Sequence, residues 1–220
     1  SFDVLNSFYQ PDIFLITEKA AEKYKKQFDD MIKIAGSAYL ISEEVADKLA
    51  ETENTQGVFC VCNIPNSNNQ LVLNKKYVAL DNLQDPSNLG AIIRTAEALG
   101  INGAICHNCC DIYNPKALRA SMGSILRLPV ILSDNLASDI EIAKSKGFSF
   151  YAAVPDSNAE DITEIDFSAS SVVIIGNEGN GISEPVKAAA NKLVTINMLG
   201  RAESLNASMA GAIAMWEMLR

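Results

Sequence analysis

The feature that most constrains this chain is an alternation. From Leu71 onward, short runs rich in aliphatic and β-branched residues are separated by segments with helical periodicity. Strands are predicted over 77–80, 103–107, 129–132, 148–154, 171–175 and 193–197. The run Ser171-Val172-Val173-Ile174-Ile175 is the most β-branched of the chain. Helices are predicted over 87–99 (stopping at Gly100), 115–120, 136–146 (ending at Gly147), 183–191 and 204–219. Strands that alternate with helices pair in parallel, because each helix carries the chain back to the start of the next strand. The expected fold is α/β, a mostly parallel sheet covered on both faces. Such sheets bind ligands outside the carboxyl ends of their strands, so the strand-to-loop junctions are where function is sought.

A smaller alternating block precedes this one. Strands are predicted over 12–17, 37–41 and 57–64, with a charged amphipathic helix over 18–34 between the first two. Ser42 is placed to cap a further helix running to about Glu51, with Val45 and Leu49 on one face. The polar, turn-rich stretch from Pro65 to Gln70 reads as a linker. The boundaries are therefore 1–64, a linker at 65–75, and 76–220. There is no internal repeat.

Composition adds two constraints. A chain of 220 residues buries a sizeable core without disulfides or metals. Its net charge is −9, shared by both blocks, with 7 basic and 11 acidic residues in 1–75 and 11 and 16 in 76–220. Bulk charge therefore gives no reason to bind nucleic acid. No apolar run reaches the ~18 residues of a membrane span, and residues 1–10 have neither the basic nor the apolar region of a secretory leader. The five cysteines, Cys60, Cys62, Cys106, Cys109 and Cys110, are odd in number and point to a reducing cytoplasm. Alternation puts Cys60 and Cys62 on the same face of a strand. Free buried thiols are expected, with no metal site, since a structural zinc wants two spaced ligand pairs. His107, the only histidine, reads as a strand-end residue, which leaves no histidine-based triad.

Three junctions carry polar residues in unusual density. The first runs from Leu80 through Asp85, Pro86, Asn88 and Gly90 to Arg94. The second is Gly176-Asn177-Glu178-Gly179-Asn180-Gly181, whose G-x-x-G-x-G order is not the dinucleotide fingerprint G-x-G-x-x-G. The third runs from Ile196 and Met198 through Arg201, Glu203, Ser204 and Leu205 to Asn206. Each also admits a plain structural reading. Ser87 or Asn88 would cap the first helix and Ser204 the last. Glycines would simply turn the second loop, and Arg94 and Glu178 would be surface charges. The small residues Ala207, Ala210, Gly211, Ala212 and Ala214 suit a helix packed closely against a neighbour or at an interface.

Taken together and in order, the three junctions resemble the motifs of the SpoU (TrmH-like) family of RNA ribose 2′-O-methyltransferases. Asn88-x-Gly90-x-x-x-Arg94, running into Ala96 and Gly100, is similar to the first motif. Gly176-Asn177-Glu178-Gly179-x-Gly181 is similar to the second, and Ile196-x-Met198 followed by Ser204-Leu205-Asn206 to the third. Arg119-Ala120-Ser121-Met122-Gly123 resembles the segment between the first two. The resemblance spans residues 76–220, and the first block resembles the tail of the family's ribosomal-protein-like, RNA substrate-binding domain, without that domain's first helix.

The resemblance implies a C-terminal deep trefoil knot, S-adenosylmethionine as cofactor, and a homodimer. It implies that Ile175, Gly176, Asn177, Gly181, Ile196, Met198, Ser204 and Leu205 hold the cofactor. Arg94 would contact RNA phosphate, and Asn88, Glu178, Ser204 and Asn206 would position the sugar and the loops. A guanidinium holds its proton tightly, so phosphate anchoring suits Arg94 better than a literal base role. Arg94, Lys116, Arg119, Arg127 and Arg201 would form a basic mouth for RNA on an acidic body, ribosomal RNA being favoured over transfer RNA. Arg201 and Glu203 are placed to pair with each other. Two other readings compete: a Rossmann-like oxidoreductase, disfavoured by the missing fingerprint, and a catalytically silent RNA-binding protein, disfavoured by the intact polar residues.

Overall fold

The structure is a computed structural model that describes residues 2–51, 54–64 and 70–220. The chain divides into two units, Ser1–Asn66 and Ser67–Arg220. The linker predicted at 65–75 lies outside the described residues as far as position 69.

The first unit begins with a 3-10 turn at Phe2–Asn6, followed by strand β1 (Pro11–Thr17), helices α1 (Glu18–Lys23) and α2 (Lys25–Ile34), β2 (Ser37–Ile41), α3 (Glu43–Leu49) and β3 (Val58–Cys62). Strand β1 is central, parallel to β2 and antiparallel to β3. Alternation along β1 turns Phe14 and Ile16 into a small core with Ala20, Met31 and Val58. The helix predicted over 18–34 is two helices. Tyr24 leaves helical geometry (φ −113°, ψ 38°) where its ring packs edge-on against Phe2 at 5.4 Å, a tertiary contact that no local signal announces. Ser42 caps α3 by accepting from the Val45 N–H at 3.3 Å, as its type predicts. The buried face of α3 is that of Ala46, however, whereas Val45 and Leu49 are exposed. The Cys60 and Cys62 sulfurs lie 3.4 Å apart on one face of β3.

The second unit runs β4 (Lys76–Asp81), α4 (Pro86–Leu99), β5 (Ala104–His107), α5 (Pro115–Ser121), β6 (Val130–Ser133), α6 (Leu136–Ser145), β7 (Ser149–Ala153), β8 (Glu160–Asp161), β9 (Ser171–Gly176), α7 (Glu184–Ala189), β10 (Lys192–Thr195) and α8 (Ala207–Leu219). The seven strands form one sheet in the order β6-β5-β4-β9-β7-β10-β8, and every neighbouring pair is parallel. Strand β8 was not predicted: two acidic residues joined to the edge through β10 carry no hydrophobic pattern.

The sheet is buried on both faces. From β4 and β9, Val78, Leu80, Val173 and Ile175 pack against α4, α5 and α8. Their alternates Tyr77, Ala79, Val172 and Ile174 pack against α6 and α7. This explains why these strands read as unbroken apolar runs.

Two caps differ from the sequence reading, and both differences free a site residue. Helix α4 is capped by Asp85, which accepts from the Ser87 N–H at 2.9 Å, with Pro86 at the first helical position. Helix α8 is capped by Asn206, which accepts from the Ser208 N–H at 2.9 Å, and begins three residues after Ser204.

Helices α4 and α5 approach closely at Gly90. A Cβ there would stand 2.5 Å from the Ala117 carbonyl oxygen and 2.7 Å from the Ala120 Cβ. Alanine would gain about 1 kcal/mol of helix propensity, but it would overpack an interface made of backbone, at a cost of about 1–3 kcal/mol or more. Gly90→Ala should therefore lower stability by up to about 2 kcal/mol and the thermal midpoint by up to several degrees, read by calorimetry. A stabilised variant would show that the two helices are not in contact here.

Candidate active site

The carboxyl ends of β7, β9 and β10, neighbours in the sheet, open into one cavity of about 190 Å³. Its walls come from the three loops that follow these strands and from the first turn of α8. All eight residues expected to hold a cofactor line it: Ile175, Gly176, Asn177, Gly181, Ile196, Met198, Ser204 and Leu205. Glu178 is there too. The sequence reading missed Ala153, Val154 and Pro155 at the end of β7, together with Gly179, Ala207 and Ala210. Residues 153–155 have no glycine or polar punctuation. Only the sheet order, which inserts β7 between β9 and β10, brings them to the cavity.

The glycine-rich loop after β9 is tightly made. Asn177 and Gly181 exchange two backbone hydrogen bonds of 3.0 Å. The Asn177 side-chain oxygen accepts from the N–H groups of Gly179 and Asn180, each at 2.9 Å. Its amide nitrogen donates to the Asn82 carbonyl at 2.8 Å. A Cβ at Gly176 would fall 2.3 Å from the Gly181 carbonyl carbon and the Ile182 nitrogen, so only glycine lets the loop close on itself.

Besides the Asn177–Asn82 bond, the first and second junctions meet through a side-chain pair. Asn88, almost fully buried, donates from Nδ2 to Glu178 Oε1 at 2.9 Å. Because Asp85 supplies the cap of α4, the Asn88 side chain is left for this bond. Ser204 lines the cavity, whereas Asn206 serves as the cap of α8. His107 ends β5, as read, and is also 2.8 Å from Asp81 through Nδ1.

The cationic residues are placed less uniformly. Arg94 is exposed on α4, outside the cavity lining, and has no partner among the described residues. Lys116 and Arg119 lie on α5, which packs against α4, with Lys116 Nζ 3.4 Å from Asp85. Arg127 is engaged by Glu97 in a two-pronged pair, Nε to Oε1 at 2.5 Å and a second nitrogen to Oε2 at 2.9 Å. This bond holds the Glu97 carboxyl below the usual carboxylate range and offsets the charge of Arg127 locally. Arg201 and Glu203 are exposed and have no ion-pair partner among the described residues, so the expected pair between them does not form.

All five cysteines are free, but only Cys106 is fully buried, a correction to the expectation of buried thiols throughout. Burial and the contact with Cys62 push the Cys60 thiol up to about 12. A hydrogen bond with Cys106 draws Cys109 down. Among the described residues no group of three or more histidine, cysteine or carboxylate side chains is placed to hold a metal ion, and no helix is long and apolar enough to cross a membrane.

The Asn88–Glu178 bond is testable by a double-mutant cycle in urea. Asn88→Ala and Glu178→Ala should couple by about 1 kcal/mol. Strict additivity would mean that this side-chain bond contributes nothing to holding the two junctions together.

Residues 75–216 match the SpoU rRNA methylase family. A 23S rRNA (guanosine(2553)-2′-O)-methyltransferase of Bacillus subtilis is 33% identical over 181 residues, which span 82% of this chain and 71% of that protein. An uncharacterized tRNA/rRNA methyltransferase of Synechocystis is 35% identical over 206 residues, 90% of this chain and 73% of that one. The AdoMet-bound rRNA methyltransferase of Sinorhizobium meliloti superposes with a TM-score of 0.86 at 27% identity, covering 98% of this chain and 82% of the other. With the family match spanning nearly all of the second unit and every strand that builds the cavity, the chain belongs to the SpoU rRNA methylase family.

Proposed function

We propose that this chain is an S-adenosylmethionine-dependent RNA methyltransferase that methylates a ribose 2′-hydroxyl, with ribosomal RNA as its substrate. The observation that carries this reading is the convergence of the second and third junctions on one cavity, with the first tied to it through Asn88 and Glu178. Family membership and the AdoMet-bound relative support the cofactor, and the B. subtilis relative supports ribosomal RNA.

The cavity suits such a cofactor chemically. Its walls are mostly aliphatic, from Ile175, Ile196, Met198, Leu205 and Ala210, as the faces of an adenine ring require. The peptide groups of Met198 and Leu205 have no hydrogen-bond partner among the described residues, which leaves donors and acceptors for a heterocycle edge. Asn177, Glu178 and Ser204 are the polar side chains of the lining. When bound, S-adenosylmethionine supplies an electrophilic methyl group on a positively charged sulfur.

The chain's own residues then have distinct tasks. Glu178, oriented by Asn88, and Ser204 position the ribose, and Asn206 holds the start of α8 beneath the third loop. The Arg94 guanidinium grips RNA phosphate with a geometry that lysine does not match, and its field favours removal of the 2′-hydroxyl proton. Lys116, Arg119 and Arg201 extend the basic mouth, with Arg127 contributing less because Glu97 opposes it. This combination keeps non-specific RNA affinity low and leaves recognition to placed contacts.

Several finer readings complete the proposal. Residues 1–64 act as the RNA substrate-binding domain, joined through 65–75 to a methyltransferase domain at 76–220. The C-terminal segment forms a deep trefoil knot. This is supported by α8 returning to pack on β9 and α4 after β10, two strands away from β9. Two copies associate through α4 and α8, where Thr95, Leu99, Ile213 and the 61%-exposed Trp216 line an apolar groove. The free thiols fit a reducing cytoplasm.

Calorimetry should show S-adenosylmethionine binding and no binding of NAD. The reverse result would reinstate an oxidoreductase. Comparing 2′-O-methyl maps of RNA from cells with and without the protein should reveal a lost site in ribosomal RNA. Cofactor binding with no lost site would instead mark a silent RNA-binding protein. On the RNA so identified, Arg94→Ala should lose at least 10²-fold in kcat/KM, with Arg94→Lys recovering part of it. Near-normal turnover by Arg94→Ala would remove this residue from the mechanism.

A further inference from the structure

Asp81 is the last residue of β4, in the middle of the sheet, and is fully buried. It does not line the cavity. A carboxylate in such a place is retained only with donors around it, and three are present. His107 Nδ1 lies 2.8 Å from Oδ1 and Asn82 Nδ2 lies 3.0 Å from the same oxygen, while the Ser183 N–H reaches Oδ2 at 2.7 Å. The sheet register explains the meeting. Asp81 pairs with His107 across β5 and with Gly176 across β9.

These bonds bracket the glycine-rich loop. Ser183 follows the loop and stands at the N-cap position of α7. On the near side, Asn177 is held by the carbonyl of Asn82, the residue after Asp81. Asn82 itself sits at φ +59° and is buttressed by Asn108, whose Nδ2 is 2.5 Å from its side-chain oxygen. The two ends of the loop are thus tied to adjacent residues of one buried strand end. His107, with 22% of its side chain exposed, closes the outer side of this cluster.

We propose that Asp81 is a positioning residue of the methyl-transfer site: held by His107, it fixes the 176–181 loop through the Ser183 N–H and so sets the shape of the cofactor cavity. This rests on the S-adenosylmethionine reading of that cavity. Asparagine at position 81 would turn an N–H₂ either toward the Ser183 N–H, releasing it, or toward the Asn82 amide and His107, where Nδ1 accepts only if its proton moves to Nε2. Asparagine at position 107 keeps an N–H near the place of Nδ1, whereas alanine removes it.

The test is calorimetric titration of the full chain with S-adenosylmethionine, reading Kd and stoichiometry separately. Asp81→Asn should raise Kd about tenfold at unchanged stoichiometry, as loss of one buried charge-assisted hydrogen bond predicts. His107→Ala should raise Kd several-fold, and His107→Asn should stay within about twofold of the unmodified chain. A reduced stoichiometry with unchanged Kd in Asp81→Asn would overturn the proposal, because a purely structural role removes folded molecules without weakening those that remain. Equal Kd values for His107→Ala and His107→Asn would overturn it too, and they decide the matter if Asp81→Asn does not fold. If the unmodified chain binds no S-adenosylmethionine, the function reading fails rather than the positioning role.

Discussion

The second unit depends on the ladder between β4 and β9. These strands run parallel in register from Lys76 opposite Ser171 to Asp81 opposite Gly176. Both are buried on both faces, so the pairing cannot slip by one residue without exchanging the two halves of the core. Because the strands are parallel and in register, their carboxyl ends finish together. Two segments some ninety residues apart in sequence thereby deliver Asn82 and Asn88 against Asn177 and Glu178. The cavity is the space left where β7 and β10 end beside them.

Charge acts in this molecule at short range. The body is acidic, and many of its cations are neutralised locally, as Arg127 is by Glu97 and Lys192 by Glu160. Arg94 and Arg201 stand apart, exposed and without an ion-pair partner among the described residues. A net charge of −9 therefore describes the background against which a few free cations act, and such a background suppresses indiscriminate attraction to phosphate.

Much of the fold was legible because its signals are local. Strand β9 shows as Ser171–Gly176, Gly100 ends α4, and Ser42 caps α3. Misreadings occurred where a non-local contact competes with a local preference. Tyr24 breaks a helix to pack on Phe2, Asp85 and Asn206 take the caps assigned to nearby residues, and β8 exists only because β10 offers it an edge. Eight positions of the cavity lining were legible through the family resemblance that three ordered motifs carry. Residues 153–155 were not, since an apolar strand end carries no mark of what lies beside it.

By itself the sequence determined the fold class, the identity of the three polar junctions and the family they resemble, because hydrophobic period, glycine placement and capping residues act over a few positions of chain. Only the tertiary structure decided which strand ends are neighbours, that Asn88 holds Glu178, that Arg127 is already engaged, and that a buried Asp81 stands behind the loop. Those facts depend on strand order and register, which are settled by burying both faces of one sheet at once and by no short segment alone.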